Sequence, residues 1–382
     1  MTTTQWSRVP STLKPGRHFM QGDEACAEGA IAAGCDYYAG YPITPASEIM
    51  QHICNRFSDM PERKFMQMED EIASIASCIG ASWAGARSMT ATSGPGLSLM
   101  LENIGYALMT ETPCVVVDVQ RAGPSTGQAT RPGQGDVMQA RWGAHGDYEM
   151  IVLSPWSAQE MYSQTIRAFN LADRFRVPVI LLADEAVGHL REKVEIDDQV
   201  RIYRRTESGP DGPFVGSGIP PMPRFGSGHK LLITGSTHDD WGYRRTSSPE
   251  AQAKLIEHLR SKILSHADEI VETEALHCEG QLDFLLVAYG FTARSALGAV
   301  QTARQGGMRA GLLRLKTLWP FAEAAVGELT QRCKHVLVPE MNQGQVLREV
   351  QRCAPDAQGY GKTNGEVIKP QEILRAMREM LT

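Results

Sequence analysis

A run at positions 114–120, CVVVDVQ, constrains the fold of this chain more than any other segment. Branched apolar side chains follow one another there without polar alternation, which predicts a strand buried on both faces. Similar predicted strands lie at 37–41, 64–68, 88–92, 150–153 and 179–183. Predicted helices lie between them at 23–34, 46–57, 71–84, 97–109 and 158–174. Strands that alternate with helices predict a parallel sheet with helices on both sides, so the fold class is α/β.

The 382-residue length indicates about two domains, and the composition changes in the middle of the chain. Residues 206–228 are dense in Gly and Pro and predict a connector, whereas 248–269 predict one amphipathic helix. A second α/β unit follows, with predicted strands at 284–289, 309–315 and 335–339. We therefore expect an α/β domain over 1–205 with an extended arm at 1–17, a linker plus helix over 206–278, and a smaller α/β domain over 279–382.

The charge and the N-terminal sequence limit the class of protein. The net charge of −6 argues against a dedicated nucleic-acid-binding protein, which would present a basic face. The N-terminus lacks the basic and apolar regions of a secretory signal, and no apolar run is long enough to span a membrane. These features predict a cytoplasmic protein that binds neither nucleic acid nor membrane.

The eight cysteines carry no iron–sulfur signature, since none of them forms a C-x-x-C pair. The simplest interpretation is that they are buried free thiols in a reducing compartment. If the protein takes part in electron transfer, the clusters must therefore lie on another chain.

Three segments follow predicted strands directly, where parallel sheets bind ligands. They are YPITP at 41–45, SGPG at 93–96 and RAGPSTGQ at 121–128. Arg121 could pair with a carboxylate through two parallel hydrogen bonds, although a structural salt bridge is the alternative. Each segment alone could also be an ordinary loop.

Glu71 stands at the start of a predicted helix, where an acid commonly complements the helix dipole. It is followed by Ile72, Ala73 and Ile75, so we expect it to lie nearer the buried face than Glu69. Phosphate loops, G-x-G-x-x-G turns and ligand sets at metal-binding spacing are absent from the sequence. The residue pattern alone therefore predicts a two-domain α/β protein with an anion-binding cleft.

The segments GYPITPASE, MEDEIASI, TATSGPGLSLM and QRAGPSTGQ resemble the alpha subunits of 2-oxoacid:ferredoxin oxidoreductases, particularly those of the 2-oxoglutarate synthase type. The resemblance continues through HGD, ADEAVGHLRE, TGSTHDDWG and PEMNQGQ and spans nearly the whole chain. It implies a thiamine-diphosphate-binding, pyrimidine-type domain followed by a domain similar to the C-terminal domain of transketolases.

The resemblance also implies an activity, which is CoA-dependent oxidative decarboxylation of a 2-oxoacid with electrons passed to ferredoxin. The GDG motif that holds the diphosphate and Mg²⁺ in thiamine enzymes is missing, and Gly135-Asp136 and Gly146-Asp147 lack its second glycine. The family places that motif, the Mg²⁺ and the 4Fe–4S cluster on a beta subunit. The resemblance thus implies thiamine diphosphate shared with a beta subunit, and coenzyme A as co-substrate.

Individual roles follow from the resemblance alone. Glu71 corresponds to the glutamate that bonds N1′ of the thiamine aminopyrimidine, Thr44 to a threonine that contacts the substrate, and Arg121 to an arginine that pairs with the substrate carboxylate. Weaker substrate-pocket candidates are Ser125, Thr126 and Gln128. The cofactor-binding candidates are Tyr41, Pro42, Ile43, Thr44, Glu71, Ser93 and Gly94. The PEMNQGQ segment receives no catalytic role.

Two alternatives stay open at this point. The substrate could be pyruvate or a branched-chain 2-oxoacid, because only 2-oxoglutarate needs a second cation, for which Arg131 and Arg141 are the candidates. The chain could also be a non-catalytic scaffold subunit. The expected partners are a beta subunit, in a dimer of heterodimers, and ferredoxin or another redox module as the electron acceptor.

Overall fold

The computed structural model describes residues 5–207, 213–214 and 218–381. The first four residues of the predicted arm, and residues 208–212 and 215–217 of the predicted connector, lie outside the described part. Within that part no helix is both long and apolar enough to cross a membrane.

The secondary structure alternates as the sequence predicts. In chain order the strands are β1 (Trp6–Pro10), β2 (Gly16–Gln21), β3 (Tyr37–Gly40), β4 (Lys64–Gln67), β5 (Ser88–Thr92), β6 (Cys114–Ala122), β7 (Gln128–Pro132), β8 (Ile151–Leu153), β9 (Pro178–Asp184), β10 (Arg191–Ile196), β11 (Gln199–Tyr203), β12 (Thr273–Leu276), β13 (Leu282–Ala288), β14 (Ala310–Leu315), β15 (Thr317–Trp319), β16 (Cys333–Glu340) and β17 (Gln358–Gly361). The helices are α1 (Gly22–Ala32), α2 (Ser47–Phe57), α3 (Glu71–Trp83), α4 (Gly94–Met109), α5 (Val137–Trp142), α6 (Ala158–Phe175), α7 (Glu185–His189), α8 (Pro249–Leu264), α9 (Ala267–Ile270), α10 (Gly290–Gln305), α11 (Glu323–Thr330), α12 (Gln345–Cys353) and α13 (Pro370–Glu379).

The larger sheet has the strand order β15-β8-β9-β6-β5-β3-β4, with β7 paired to β6 outside this row. Every pair from β8 to β4 is parallel. Strand β6 lies in the middle and is buried from Cys114 to Arg121, so both of its faces are covered. The prediction of a doubly covered parallel sheet is confirmed.

The smaller sheet has the order β12-β14-β13-β16-β17, in which only β12 is antiparallel to its neighbour. Its core is a separate apolar cluster that includes Phe284, Leu312 and Ile373. Strand β15 follows β14 in the chain but pairs with β8, so it belongs to the larger sheet. The division into 1–205, 206–278 and 279–382 stays a prediction.

The N-terminal arm is extended, as expected, and it is paired. Strand β1 is antiparallel to β11, and β2 is antiparallel to β10. These four strands are short and mostly polar on one side, so local residue patterns did not predict them.

The predicted single helix at 248–269 is wrong, because the chain turns after Leu264 and resumes as the short helix α9. The Ser265 hydroxyl donates to the Ser261 carbonyl at 2.6 Å, and Leu264 is 43% exposed. Helix α8 buries Leu255, Leu259 and Ile263, as expected of an amphipathic helix.

A buried ion pair attaches α8 to the larger sheet unit. The Lys262 ammonium donates to the Glu111 carboxylate at 2.6 Å and to the Arg176 carbonyl at 3.0 Å. Burial alone would raise the pKa of Glu111, but Lys262, His258 and Arg176 together bring it below its usual value. The helical end of the predicted linker segment 206–278 is therefore bound firmly to the core.

The cysteines agree in large part with the prediction of buried thiols. Cys26, Cys35, Cys78, Cys114 and Cys278 are free and buried. Cys54 is exposed on α2, which contradicts the prediction at that position, and Cys333 and Cys353 are half-buried.

Candidate functional site

Four loops meet at one edge of the larger sheet. Strands β6, β5, β3 and β4 are neighbours in that order and run parallel. Their carboxyl ends lead into residues 121–128, 93–96, 41–45 and 68–71, respectively. The three loops selected from the sequence and the segment that carries Glu71 are therefore adjacent, as binding at the carboxyl edge of a parallel sheet requires.

The SGPG segment is not a free turn, contrary to expectation. Ser93 is the N-cap and Gly94 the first residue of α4, with Pro95 in the first turn. Proline fits there because the first helical N–H groups have no intrahelical partner, so its missing donor costs nothing. The helix N-terminus thus begins at the site itself.

Arg121 occupies the centre of this edge. Its side chain is 8% exposed, and Nη1 donates to the Thr44 carbonyl at 2.7 Å. Its Nε is buried without a hydrogen-bond partner among the described residues. Such a guanidinium retains donor capacity for an anion, which favours the binding interpretation of Arg121 over the structural salt bridge.

Two carboxyl groups stand behind Arg121. Asp118 is completely buried in β6, and burial followed by the neighbouring Asp136 carboxyl raises its pKa well above the usual value. Burial raises the pKa of Asp136 to about 6, against the opposing effects of the neighbouring Asp118 carboxyl and the Arg121 charge. Of the two carboxyl groups, Asp118 therefore holds its proton more tightly.

Sequence reasoning did not single out Asp118, although a signal was present. An aspartate in the middle of a continuous β-branched run is costly unless it is neutral or paired. Asp136, noted only as part of an incomplete GDG motif, lies at the site, where a Cβ on Gly94 would stand 3.0 Å from its Oδ2.

Glu71 is buried at the start of α3, as its position in the sequence predicted. Asp70 caps the helix by accepting a hydrogen bond from the Ala73 amide at 2.7 Å, which leaves Glu71 free of that task. Glu71 is 5% exposed, and its carboxylate makes no hydrogen bond or ion pair with the described residues. Ile72, expected on the buried side, is 46% exposed.

Gly96 provides space beside this carboxylate. A Cβ there would stand 2.0 Å from Thr92 Oγ1 and 2.5 Å from Glu71 Oε1. Only glycine allows α4 to approach Glu71 so closely. The unpaired carboxylate is therefore held against the start of α4, where it could accept a hydrogen bond from a ligand.

A cavity of about 430 Å³ opens between this edge and the second α/β unit. Of the predicted site residues, Gly94, Arg121 and Ser125 line it. The second unit contributes Met341, Asn342, Gln343, Gln345 and Thr363. Ser125 has a left-handed φ of 58°, a strained conformation that is concentrated at functional sites.

The other predicted site residues do not line this cavity. Tyr41 and Pro42 are exposed, Ile43 and Thr44 are half-buried, and Ser93 is buried with its hydroxyl unpartnered. Thr126 and Gln128 are also exposed. A Cβ on Gly365 would stand 1.8 Å from Gln128 Oε1, so Gln128 faces a loop of the second unit.

Neither candidate for a second substrate cation lines the cavity. Arg141 is buried in an ion pair with Glu149 at 2.9 Å and lies over the Trp142 ring. Arg131 is exposed near Gly365. Arg121 is therefore the one cationic side chain among the described residues that line this cavity.

The PEMNQGQ segment joins the two units below the cavity. Its Glu340 carboxylate accepts hydrogen bonds from the Val346 and Leu347 amides, both at 2.9 Å, which shapes the turn into α12. Asn342 Nδ2 donates to the Gln134 carbonyl at 2.6 Å, and Gln345 Nε2 donates to the Gly135 carbonyl at 2.6 Å. The segment thus holds the loop that carries Asp136.

Gln134 is the centre of this junction, and sequence reasoning missed it. Its Nε2 donates to Asp184 at 3.1 Å and to the Tyr289 carbonyl at 3.2 Å. Its Oε1 accepts from Thr292 Oγ1 at 2.9 Å and from the Met341 amide at 3.1 Å. All four side-chain hydrogen-bonding positions are used, so Gln134 fixes both units to one loop.

The described residues fit one half of thiamine diphosphate, the cofactor that the resemblance implies. The unpaired Glu71 carboxylate, which Gly96 allows to lie against α4, suits the aminopyrimidine ring. The diphosphate half has no matching set. Asp136 lies beside the buried Asp118 carboxyl and lacks the glycine that should follow it, and Gly146-Asp147 is exposed at a different cavity. This division agrees with a cofactor shared between two chains.

Two family models match the chain. The model described as pyruvate flavodoxin/ferredoxin oxidoreductase, thiamine diphosphate-binding, matches residues 28–258, and pyruvate:ferredoxin oxidoreductase core domain II matches residues 283–373. The first model alone covers more than half of the chain and includes all four loops of the candidate site.

Curated relatives and a solved structure agree with these matches. The chain is 48% identical over 372 residues to 2-oxoglutarate synthase subunit KorA of Methanothermobacter marburgensis, across 95% of this chain and 99% of that one. Ketoisovalerate oxidoreductase subunit VorB of the same organism is 37% identical over 364 residues, across 94% and 97%.

The solved structure is a 2-oxoglutarate:ferredoxin oxidoreductase from Magnetococcus marinus with 2-oxoglutarate, coenzyme A and succinyl-CoA bound. It superposes with a TM-score of 0.90 at 34% identity, over 96% of this chain, and this chain spans 65% of its length. By these matches the chain belongs to the pyruvate flavodoxin/ferredoxin oxidoreductase family, among the alpha subunits of 2-oxoacid:ferredoxin oxidoreductases.

Proposed function

We propose that this chain is the alpha subunit of a 2-oxoglutarate:ferredoxin oxidoreductase. The proposed reaction is oxidative decarboxylation of 2-oxoglutarate with coenzyme A to succinyl-CoA, with two electrons leaving through an iron–sulfur cluster. The observation that carries the proposal is the arrangement of a buried, unpaired carboxylate and a buried guanidinium with free donor capacity at one sheet edge. The greater identity to KorA than to VorB favours 2-oxoglutarate.

Glu71 would hold the pyrimidine half of the cofactor. Its carboxylate would share a proton with N1′ of the ring, which an amide at this position could not do. Bound thiamine diphosphate supplies the nucleophilic carbon and the electron sink for loss of CO₂. The absence of a side chain at Gly96 lets the Glu71 carboxylate keep this position against α4.

Arg121 would bind the substrate carboxylate and orient its carbonyl group toward the cofactor. The bond from Nη1 to the Thr44 carbonyl fixes the guanidinium and also fixes the turn that presents the Thr44 hydroxyl. Ser125 would line the substrate pocket, with Thr126 and Gln128 at its outer rim. Tyr41, Pro42, Ile43, Ser93 and Gly94 remain proposed cofactor contacts.

The complete enzyme needs a second chain in this proposal. The relative from Methanothermobacter marburgensis is named as a subunit, and the described part of this chain offers no matching set for the diphosphate and Mg²⁺. We propose a beta subunit that carries both of these and the 4Fe–4S cluster, a dimer of heterodimers, and ferredoxin or another redox module as acceptor. The cytoplasmic location expected from the sequence stays a prediction.

The role of Glu71 is tested in the complex of this chain with its partner. Glu71→Gln should lower decarboxylation by about 100- to 10,000-fold, because proton transfer at the ring is lost. Glu69→Gln, two residues away and exposed, is the matched control and should retain activity. Size-exclusion chromatography verifies that both variants still assemble. Full activity in assembled Glu71→Gln would exclude this role.

The substrate needs a separate test, because Arg121 is the one cationic side chain among the described residues that line the cavity. In the proposed enzyme the partner would supply the second cation that 2-oxoglutarate needs, whereas pyruvate or a branched-chain 2-oxoacid would need none. Turnover of 2-oxoglutarate, pyruvate and 2-oxoisovalerate by the complex decides between them. In each case Arg121→Lys should raise KM for the preferred 2-oxoacid by about 10- to 100-fold, since a charged hydrogen bond is lost.

A further inference from the structure

A second group of polar side chains lies behind the turn that carries Thr44. Asp23 is in the first turn of α1, Glu48 is in the first turn of α2, and His189 is the last residue of α7. One ligand atom from each lies within 4.8 Å of the others. His189 belongs to the ADEAVGHLRE segment, which none of the proposed catalytic roles explains.

The distances within this group suit coordination of a cation. His189 Nε2 is 3.6 Å from Glu48 Oε2 and 3.8 Å from Asp23 Oδ2. Ligand atoms about 2.1 Å from a tetrahedral Zn²⁺ are separated by about 3.4 Å. His189 Nε2 donates a hydrogen bond to the Pro45 carbonyl at 3.1 Å, and a cation would replace that proton and take the carbonyl oxygen as a fourth ligand.

Asp23 is an independent sign that a ligand belongs here. It is 0% exposed, and both of its carboxylate oxygens are buried without a hydrogen-bond partner among the described residues. A buried carboxyl group without any partner is costly, so a native site with this feature calls for a bound ion or water. A Cβ on Gly188 would stand 2.7 Å from Asp23 Oδ1, which shows that the chain leaves room for this carboxylate.

Glu185 completes the arrangement from the other side of the imidazole. Its Oε1 is 3.5 Å from His189 Nδ1, while Nε2 faces the cluster. Histidines that bind metals commonly donate their second N–H to a carboxylate, which fixes the tautomer and ring orientation. Access is also provided, because the Glu48 side chain is 41% exposed and the His189 side chain 29%.

We propose that Asp23, Glu48 and His189, with the Pro45 carbonyl, bind one divalent cation that accepts both nitrogen and oxygen ligands, such as Zn²⁺. A donor set with an imidazole favours such an ion over Mg²⁺, which prefers oxygen ligands alone. The cation ties α1, α2 and α7 to the backbone directly after Thr44. It therefore stabilises the turn at the candidate substrate site without contact to substrate, and the inference does not depend on the proposed activity.

Metal binding to the full 382-residue chain tests this proposal. The protein is stripped with a chelator, dialysed against Zn²⁺, and its metal content is measured by mass spectrometry. We expect one Zn²⁺ per wild-type chain and loss of that Zn²⁺ in His189→Gln and in Glu48→Gln. Both substitutions are at partly exposed positions, so circular dichroism should show a retained fold.

Two matched controls exclude binding elsewhere. His145→Gln removes an exposed histidine that also faces one carboxylate, Glu102, at 3.7 Å, and Cys54→Ser removes the exposed thiol. Both should retain the full Zn²⁺ content. Isothermal titration of Glu185→Gln should show about 10-fold weaker Zn²⁺ binding, since an orienting partner is lost.

Excess Mg²⁺ should not displace the Zn²⁺ from wild-type protein. Wild-type protein without bound Zn²⁺, or equal Zn²⁺ content in wild type and His189→Gln, would overturn the proposal. Loss of Zn²⁺ in Cys54→Ser together with retention in Glu48→Gln would also overturn it, because the ion would then be bound on the surface.

Discussion

Replacement of Lys262 by Met should loosen helix α8 from the core. Methionine keeps most of the buried hydrocarbon stem, so the main change is loss of the ammonium that lies 2.6 Å from the Glu111 carboxylate. Lys262 and Glu111 are both buried, and Glu111 would retain the hydrogen bond from His258, at 3.0 Å, and the charge of Arg176 nearby. Removal of one partner of a buried ion pair costs about 3–5 kcal/mol, because the other charge stays buried without compensation.

The assay is native-state hydrogen exchange of the α8 amides, which measures the free energy of local opening. Lys254→Met is the matched control on the same helix, because Lys254 pairs with Asp240 at 2.8 Å but is 69% exposed. Exposed pairs contribute about 0–1 kcal/mol, so the control should change little. The double variant Glu111→Gln/Lys262→Met should recover much of the loss.

The pH dependence provides a further check on the same pair. In the wild type the pKa of Glu111 lies below its usual value. The contribution of Glu111 to the free energy of unfolding is therefore complete above about pH 4.5 and is lost as the pH falls through the folded-state pKa. Without Lys262 that pKa rises, and protonation at acid pH relieves the buried charge. The cost of Lys262→Met should therefore be smaller at pH 5 than at pH 8. Equal opening energies for Lys262→Met and Lys254→Met would refute this reasoning.

Three further predictions concern the site. Gly96→Ala would place a Cβ 2.5 Å from Glu71 Oε1 and should abolish thiamine diphosphate binding measured by calorimetry. In the control Gly80→Ala the new Cβ meets open space, so the free energy of unfolding should be unchanged or higher by up to about 1 kcal/mol. Asp118→Asn keeps a donor where the protonated acid stands and should cost less than about 1 kcal/mol in urea unfolding, against about 1–3 kcal/mol for Asp118→Leu. Because the folded-state pKa of Asp118 is raised, wild-type stability should decline relative to Asp118→Asn as the pH rises from about 4. Parallel pH profiles of stability for the wild type and Asp118→Asn would contradict the raised pKa of Asp118. Gln134→Leu removes four hydrogen bonds and should lower the urea midpoint by more than any single-partner variant around it, and an unchanged midpoint would show that the junction is energetically unimportant.

Local sequence patterns predicted the parallel sheet well, because its strands are short apolar runs that need no distant information. Strand β5 begins and ends where the pattern placed it, at Ser88 and Thr92. Strand β15 could not be predicted in the same way. It has three residues, and it pairs with β8 across more than 160 positions of sequence, so only tertiary packing determines its partner.

The glycine turn at Ser93 shows a different limit. A Gly-Pro-Gly sequence is as compatible with a turn as with the first turn of a helix, since proline fits both. Burial of the following residues Gly96, Leu97 and Met100 on one face decides for the helix. That burial depends on the packing of α3 against α4, which a local pattern does not contain.

The candidate site was predictable only where a residue type is unusual for its position. Arg121 after a buried strand and Glu71 before a small-residue helix met that condition, and the family resemblance supplied their roles. Gln134 did not, because a glutamine in a loop is ordinary until its partners at Tyr289, Thr292 and Met341 are known. Hydrogen bonds between residues more than 150 positions apart leave no local trace.

The saturated junction at Gln134 also determines how the molecule should respond to heat. Since one side chain links both sheets and the cavity floor, neither half can open without exposing polar groups of the other. The two sheets should consequently melt in one cooperative transition rather than as separate modules. Any molecule that binds in the cleft would raise that single melting temperature, and thiamine diphosphate, whose diphosphate half the partner is proposed to hold, should raise it more in the assembled complex than in this chain alone.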